Sequence, residues 1–282
     1  CCWPPFSLSE KIVDQIRAIT KKLALACGIR GLLNIQYAVR DEHVFVIELN
    51  PRASRTVPFS SKATGVSLAK YASRIMAGEK ISELRAQGLL PDENRTVDYY
   101  AVKEAVMPWS RFPGADSILG PEMKSTGEVM GIARTFPAAY AKTREAVENK
   151  LPAQGSVFIS VCDRDKRAIA PVAMALENLG YGIYTTGGTA KTLRAAGIDC
   201  TTVNRISDGH PNVVDLMRDK TVSFIINTPH GHEAHSDGTK MRAEAVSQGI
   251  TCVTAMSAAT ALIQALAAAR KSEPETFALQ DL

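Results

Sequence analysis

From Ser156 onward the chain alternates short strand-like runs with helical ones, and no other feature restricts its fold as tightly. Strands read at 157–161, 182–185, 200–203, 222–227 and 251–254, and helices at 166–179, 189–196, 213–218, 238–248 and 258–269. Strands that alternate with helices imply right-handed βαβ crossovers and a five-stranded parallel sheet covered on both faces. Met174, Leu176 and Leu179 read as core positions of one helix, and the alanine-rich helix 258–269 has the propensity to pack on the sheet. Ligands of such sheets sit at the carboxyl ends of the strands. The chemistry is therefore expected at Ser160, residues 185–189, Asn204-Arg205 and Asn227-Thr228.

Thr186-Gly187-Gly188-Thr189 is the best of these positions. It joins a strand end to a helix start, where free backbone N–H groups and the helix dipole favour a phosphate. Lys166 and Arg205 would strengthen such a site by converging on it. A glycine-rich turn kept for backbone reasons is the plainer alternative. Asp163 and Asp165 could form a carboxylate pair, but Asp165 reads better as the cap of the helix from Lys166. His230, His232 and His235 lack a cysteine partner and a helical i,i+4 pair, so they read as a solvated loop rather than a metal site.

The first half is organised differently. Ser9 is placed to cap a helix bearing Ile12, Ile16 and Ile19, and a helix from Ser67 to Ala77 stops at Gly78. Between them, residues 32–39 and a run from Val44 read as a β-hairpin around Arg40-Asp41-Glu42-His43. Glu48, Asn50 and Arg52 alternate on the second strand, and Asn34 and Gln36 on the first, so each set shares a face. A three-residue loop would pair Gln36 with Glu48 and Asn34 with Asn50. A two-residue loop would shift the register by one and send Gln36 to the other face. Gln36, Glu48 and Asn50 offer oxygens suited to a hard cation, and Arg52 a bidentate donor for phosphate. An ordinary hairpin with a solvated polar face is the alternative. A connecting region follows, broken by Gly88, Pro91, Pro108, Pro113-Gly114, Gly120-Pro121 and Gly127. It contains a strand-like run at 100–108 and leads to a helix at 137–148.

Bulk properties bound the function. The 282 residues suggest two domains, and the net charge of +4, from 33 basic and 29 acidic residues without a basic, aromatic-rich patch, gives no case for nucleic acid. Six scattered cysteines fit a reducing cytoplasm. No apolar run reaches the roughly 18 residues of a membrane span.

Asn34-Ile35-Gln36-Tyr37-Ala38-Val39, residues 47–59 (Ile-Glu-Leu-Asn-Pro-Arg-Ala-Ser-Arg-Thr-Val-Pro-Phe) and Ser61-Lys62-Ala63-Thr64-Gly65 closely resemble the end of the second ATP-grasp domain of the carbamoyl-phosphate synthase large-chain family. Residues 120–131 carry wording particular to that family. Ser160-Val161-Cys162-Asp163-Arg164-Asp165-Lys166 and Ile225-Ile226-Asn227-Thr228-Pro229 resemble its methylglyoxal-synthase-like allosteric domain. The resemblance implies an α/β chain: a partial ATP-grasp (α+β) segment at 1–90, a connecting region at 91–153, and a parallel five-stranded methylglyoxal-synthase-like domain at 154–282. It further implies a C-terminal portion of a longer ATP-dependent ligase that phosphorylates carbamate for arginine and pyrimidine synthesis, inactive alone. By the same likeness Gln36, Glu48 and Asn50 hold Mg²⁺ or Mn²⁺ against ATP, and Arg52 and Arg55 act on the phosphates.

Ser160, Lys166, Thr186, Thr189, Arg205 and Asn227 would hold a nucleotide monophosphate effector, and Glu104 and Thr254 ornithine. The partners implied are the rest of the large chain and a glutaminase small subunit. The chain departs from the best-known pattern where Gly187 replaces histidine, Arg205 lysine, Pro229 threonine and His232 arginine. Pro229 cannot supply a hydroxyl, which leaves the nucleotide's identity open. Two other readings stand beside this one: a free-standing methylglyoxal-synthase-type lyase, whose catalytic aspartate residues 231–234 do not reproduce, and a regulatory nucleotide-binding module.

Overall fold

The computed structural model describes residues 1–91, 97–112, 117–118, 124–147, 152–228, 237–271, 275–276 and 278. Pro229 and the three loop histidines, His230, His232 and His235, lie outside the described residues. The chain divides into two compact units, one built mainly from Cys1–Lys103 and the other from Glu104–Gly131 and Pro137–Pro274. Among the described residues no helix is long and apolar enough to cross a membrane. Among the described residues, which include all six cysteines, there is no disulfide.

The first part of the chain runs β1 (Cys2–Trp3), α1 (Glu10–Ala26), β2 (Asn34–Arg40), β3 (His43–Asn50), α2 (Thr56–Thr64), α3 (Leu68–Met76), α4 (Ile81–Ala86) and β4 (Tyr100–Val106). Ser9 holds the N-cap position of α1 with extended backbone, but its side chain makes no capping bond; its carbonyl accepts from Ile12 and Val13 instead. Helix α2 is absent from the sequence reading because Pro58 interrupts its pattern. Pro58 is the third residue of α2, inside the first turn, where the N–H that proline lacks would have no helical partner. Gly65, at φ +70°, closes that helix in the left-handed conformation. Phe59, Ala63, Ala72 and Leu84 are buried beneath these helices, and the buried Tyr99 donates its hydroxyl to the Ala63 carbonyl at 2.8 Å.

β5 (Gly127–Ala133) and α5 (Phe136–Ala146) lead into the alternating region. It comprises β6 (Ser156–Ser160), α6 (Lys166–Asn178), β7 (Gly182–Thr186), α7 (Gly187–Ala195), β8 (Thr201–Val203), α8 (Val213–Arg218), β9 (Phe224–Asn227), α9 (Asp237–Ser247), β10 (Thr251–Val253) and α10 (Met256–Ala269). The five strands form one parallel sheet in the order β10-β9-β6-β7-β8. Side chains alternate across it. Val157 and Ile159 of β6 and Phe224 and Ile226 of β9 pack with α6, α7 and α10, while Phe158 and Ile225 pack with α8 and α9. The strands are apolar on both faces because both are covered. Burying a side chain such as Phe158 or Ile226 contributes about 1.5–3 kcal/mol.

Leu176 is fully buried in this core, and Leu179 packs against it. Met174 does not join them. It is 45% exposed, because two residues along a helix turn the side chain through about 200° from Leu176.

The strand order carries a consequence for binding. The chain winds from β6 outward through β7 and β8, then returns to place β9 on the other side of β6. The carboxyl ends of β6 and β9, Ser160 and Asn227, are paired neighbours at that switch point, where open α/β sheets leave a crevice.

Candidate functional site

Two clusters of polar residues stand out, one in each unit. The first is the hairpin of β2 and β3. Its loop has two residues, since Arg40 pairs with His43, and Asp41 and Glu42 both take positive φ, as a type I′ turn requires. A regular ladder from this loop would put Gln36 opposite Ile47. Instead the register shifts after the Tyr37–Val46 pair, leaving Ile47 as the extra residue of a β-bulge, and Gln36 pairs with Glu48 and Asn34 with Asn50. The loop is thus shorter than the favourable register was expected to need, and the bulge restores it.

Asn50 donates from Nδ2 to Glu48 Oε1 at 2.8 Å, which commits its amide nitrogen and leaves its carbonyl oxygen for another partner. Asn34 is spent on structure, donating to Ser54 Oγ at 3.2 Å. Gln36 and Glu48 are exposed. One carboxylate with two amide oxygens suits a hard divalent cation. Among the described residues no group of three or more His, Cys, Asp or Glu could hold a metal, so any ion here depends on the carboxamides.

The strand ends at Asn50, so alternation does not carry Arg52 onto the same face. Arg52 sits in a turn, its N–H on the Asn50 carbonyl at 2.9 Å and its Nη1 on the Ala53 carbonyl at 3.0 Å. Arg55 occupies the N-cap position of α2, and Lys62 lies in that helix's last turn.

The second cluster lines a cavity of about 490 Å³ at the switch point of the parallel sheet. Ser160, Lys166, Thr186, Thr189, Arg205 and Asn227 all contribute to its wall, together with Gly188, Asn204 and Thr228. Thr186 is the N-cap of α7 but makes no capping bond; its hydroxyl faces that of Ser160 at 3.5 Å. Gly188 lies beside Lys166: a Cβ there would meet the ammonium at 3.7 Å, an ordinary contact. Lys166 is held by Asp163 at 2.5 Å, across a pair whose acid is 81% exposed. Such a pair contributes about 0–1 kcal/mol, so a phosphate can compete for the ammonium.

Asp165 stands at the N-cap position of α6, but its side chain makes no cap bond. Its carboxylate accepts instead from the Cys162 thiol at 3.1 Å. That bond first, then Thr228 and Arg164, holds the Asp165 carboxyl below the ordinary aspartate value.

Sequence reasoning missed Arg242, Asp237 and Ser207 on the same wall. Arg242 is 3% exposed and donates from Nη1 to Asn227 Oδ1 at 2.8 Å. Asp237 accepts from the Ser207 N–H at 3.1 Å and hydroxyl at 3.0 Å. The cavity therefore sets three cations, Lys166, Arg205 and Arg242, against the carboxylates of Asp163 and Asp237.

Glu104 and Thr254 do not line it. Glu104 on β4 is paired with the buried Arg144 guanidinium and accepts from Thr143 Oγ1 at 3.1 Å. Thr254 follows the end of β10 and is half-buried.

Comparison with known proteins separates the chain along similar lines. Residues 3–84 match the family model of the carbamoyl-phosphate synthase L chain ATP binding domain, and residues 168–254 that of the MGS-like domain. Carbamoyl phosphate synthase large chains from Acidobacterium capsulatum and Pseudomonas putida are 45% and 46% identical to it, over 99% and 100% of this chain and 26% of each relative. A carbamoyl phosphate synthase large chain, C-terminal section, from Aquifex aeolicus is 43% identical over 96% of this chain and 53% of its own length. The chain thus spans about a quarter to a half of the length of the relatives it matches.

Proposed function

This chain belongs to the carbamoyl phosphate synthase large-chain family, and on that premise we propose that it supplies part of an ATP site on its hairpin and an effector site in its parallel-sheet cavity. It divides functionally into an ATP-grasp portion at 1–90, a connecting region at 91–153 and a regulatory domain at 154–282. The reaction is ATP-dependent phosphorylation of carbamate to carbamoyl phosphate, feeding arginine and pyrimidine synthesis in the cytoplasm. It takes place when the hairpin is completed by the rest of the large chain, beside a glutaminase small subunit.

Gln36, Glu48 and Asn50 would hold Mg²⁺ or Mn²⁺, which when bound neutralises phosphate charge during phosphoryl transfer. The observation that carries this reading is the Gln36–Glu48 pairing restored by the bulge at Ile47. Around it the chain's own groups have separable tasks. Asn50 orients the Glu48 carboxylate through its 2.8 Å bond. Arg52 and Arg55 bind the phosphate oxygens and the carbamate, stabilising charge that develops on the transferred group. A chain carrying only this hairpin should not turn over.

In the cavity, Lys166, Arg205 and the free N–H groups at the start of α7 bind the phosphate of a nucleotide monophosphate, while Ser160, Thr186, Thr189 and Asn227 supply hydroxyl and amide partners. Ornithine control through Glu104 and Thr254 would require the amine to displace Arg144 from Glu104. That all the cavity's lining residues belong to one compact unit favours a second reading for the chain in isolation, a regulatory nucleotide-binding module. Calorimetry with uridine and inosine monophosphates, run beside a methylglyoxal assay on dihydroxyacetone phosphate, tests these readings. Nucleotide binding without lyase turnover is the expected result; lyase turnover would overturn it.

A further inference from the structure

We infer that Arg242 is a positioning residue for the ligand of the cavity, acting through the carboxamide of Asn227; the inference rests on reading the cavity as a nucleotide monophosphate site. Asn227 ends β9 at the switch point and is 6% exposed. Its Nδ2 donates to the Ser160 carbonyl at 3.0 Å, and its Oδ1 accepts from Arg242 Nη1 at 2.8 Å. Turning the amide over would set its oxygen against the Ser160 carbonyl oxygen and its nitrogen against the guanidinium donors. Two opposed mismatches therefore fix one orientation.

Arg242 is itself held. It is buried on α9, and Nη2 donates to Thr239 Oγ1 at 3.2 Å one turn earlier on the same helix. The helix thus carries the guanidinium to the strand end.

Two effects on a ligand follow. Asn227 keeps a second Nδ2 hydrogen whose direction is set, able to meet an acceptor on the ligand. The cation on Oδ1 also polarises the amide, which makes its N–H groups better donors to an anion. Neither effect requires Arg242 to touch the ligand.

The test is a double-mutant cycle read by calorimetry on the whole 282-residue chain, with uridine and inosine monophosphates as probes. Arg242→Met keeps an unbranched apolar stem without the guanidinium donors and should weaken binding by roughly tenfold, the loss of one charge-assisted bond. Asn227→Ala should weaken it comparably, and the double variant should bind no more weakly than Asn227→Ala alone. Additive losses would mean that Arg242 acts independently of Asn227, and wild-type affinity in Arg242→Met would remove it from binding; either overturns the inference. Should Arg242→Met fail to unfold cooperatively, Arg242→Lys takes its place. It keeps the charge on a single donor nitrogen without the planar fork, and its smaller loss should vanish in the Asn227→Ala background.

A ligand-free measurement separates this inference from the reading beneath it. The Asn227 side-chain amide resonances should show one slowly exchanging hydrogen, and Arg242→Met should shift both. If the wild type binds neither nucleotide while the amide still responds, the nucleotide reading falls and the Arg242–Asn227 coupling stands. An amide indifferent to Arg242→Met overturns the coupling.

Discussion

On the proposed reading the hairpin and the cavity would both meet phosphate oxygens, but their degrees of enclosure are opposite. On the hairpin, Gln36 and Glu48 are exposed and their relation depends on one extra residue in one strand. In the cavity, Thr189, Asn227, Thr228 and Arg242 are nearly fully buried, and their relation is set by a sheet covered on both faces. The hairpin is therefore a device of register, sensitive to chain length and tolerant of surface chemistry. The cavity is a device of packing, with polar groups already satisfied by one another. Removing a partner there leaves a buried donor or acceptor unpaired, which costs about 1–3 kcal/mol.

The largest expected effects fall on the hairpin. In a full-length large chain carrying this sequence, Glu48→Gln should lower the carbamate-phosphorylating partial reaction by roughly a hundredfold or more, since it deletes the one carboxylate of the donor set. Unchanged activity would remove Glu48 from the mechanism. Register can be tested without touching a polar residue. Deleting Ile47 alone removes the bulge but keeps Gln36 opposite Glu48 across the two-residue loop, so activity should fall by no more than about tenfold. Deleting Val46 and Ile47 together places Gln36 opposite Leu49 and should abolish the reaction. Equal loss in both deletions would show that register is not what matters.

That pair of deletions also marks where the sequence stops being readable. The alternation of Asn34 with Gln36 and of Glu48 with Asn50 is visible in the chain, and so are the loop's candidate lengths. The bulge is not, because Val44-Phe45-Val46-Ile47 is uniformly apolar and nothing in it distinguishes the residue left unpaired. The parallel sheet was legible because punctuation and apolar runs repeat five times, and Thr186-Gly187-Gly188-Thr189 announced a strand-to-helix turn. Arg242 and Asp237 carried no such signal. They lie five apart on a helix of low amphipathic contrast, and only the position of α9 over the strand ends turns them inward. Glu104 was readable as an acid but not as one already held by Arg144, forty residues away.

Next in size are the cavity's cations. Lys166→Met should weaken uridine or inosine monophosphate by roughly ten- to a hundredfold, the range for losing a charge-assisted bond to phosphate. Asp163→Asn should do the reverse on a smaller scale. It frees the Lys166 ammonium from its 2.5 Å partner, and because that pair is exposed the gain should be only about two- to threefold. Calorimetry on both variants reads the two signs directly. Tighter binding in both would mean that Lys166 serves the fold rather than the ligand.

The smallest effect concerns pH. The Asp165 carboxyl is held below its ordinary value chiefly by the Cys162 thiol, with help from Thr228 and Arg164. A carboxylate depressed in the folded state contributes stability that is fully present above its unfolded pKa, about 3.9. That contribution is lost as pH falls through the lower folded value. Asp165→Asn lacks it at every pH. Urea midpoints of wild type and variant should therefore differ at pH 7, keep that difference to about pH 5, and converge below about pH 4. Since Asp165's partners Cys162 and Thr228 line the cavity, nucleotide affinity should follow the same acid limb. A stability gap that ignores pH would assign Asp165 a packing role and leave the thiol bond without electrostatic weight.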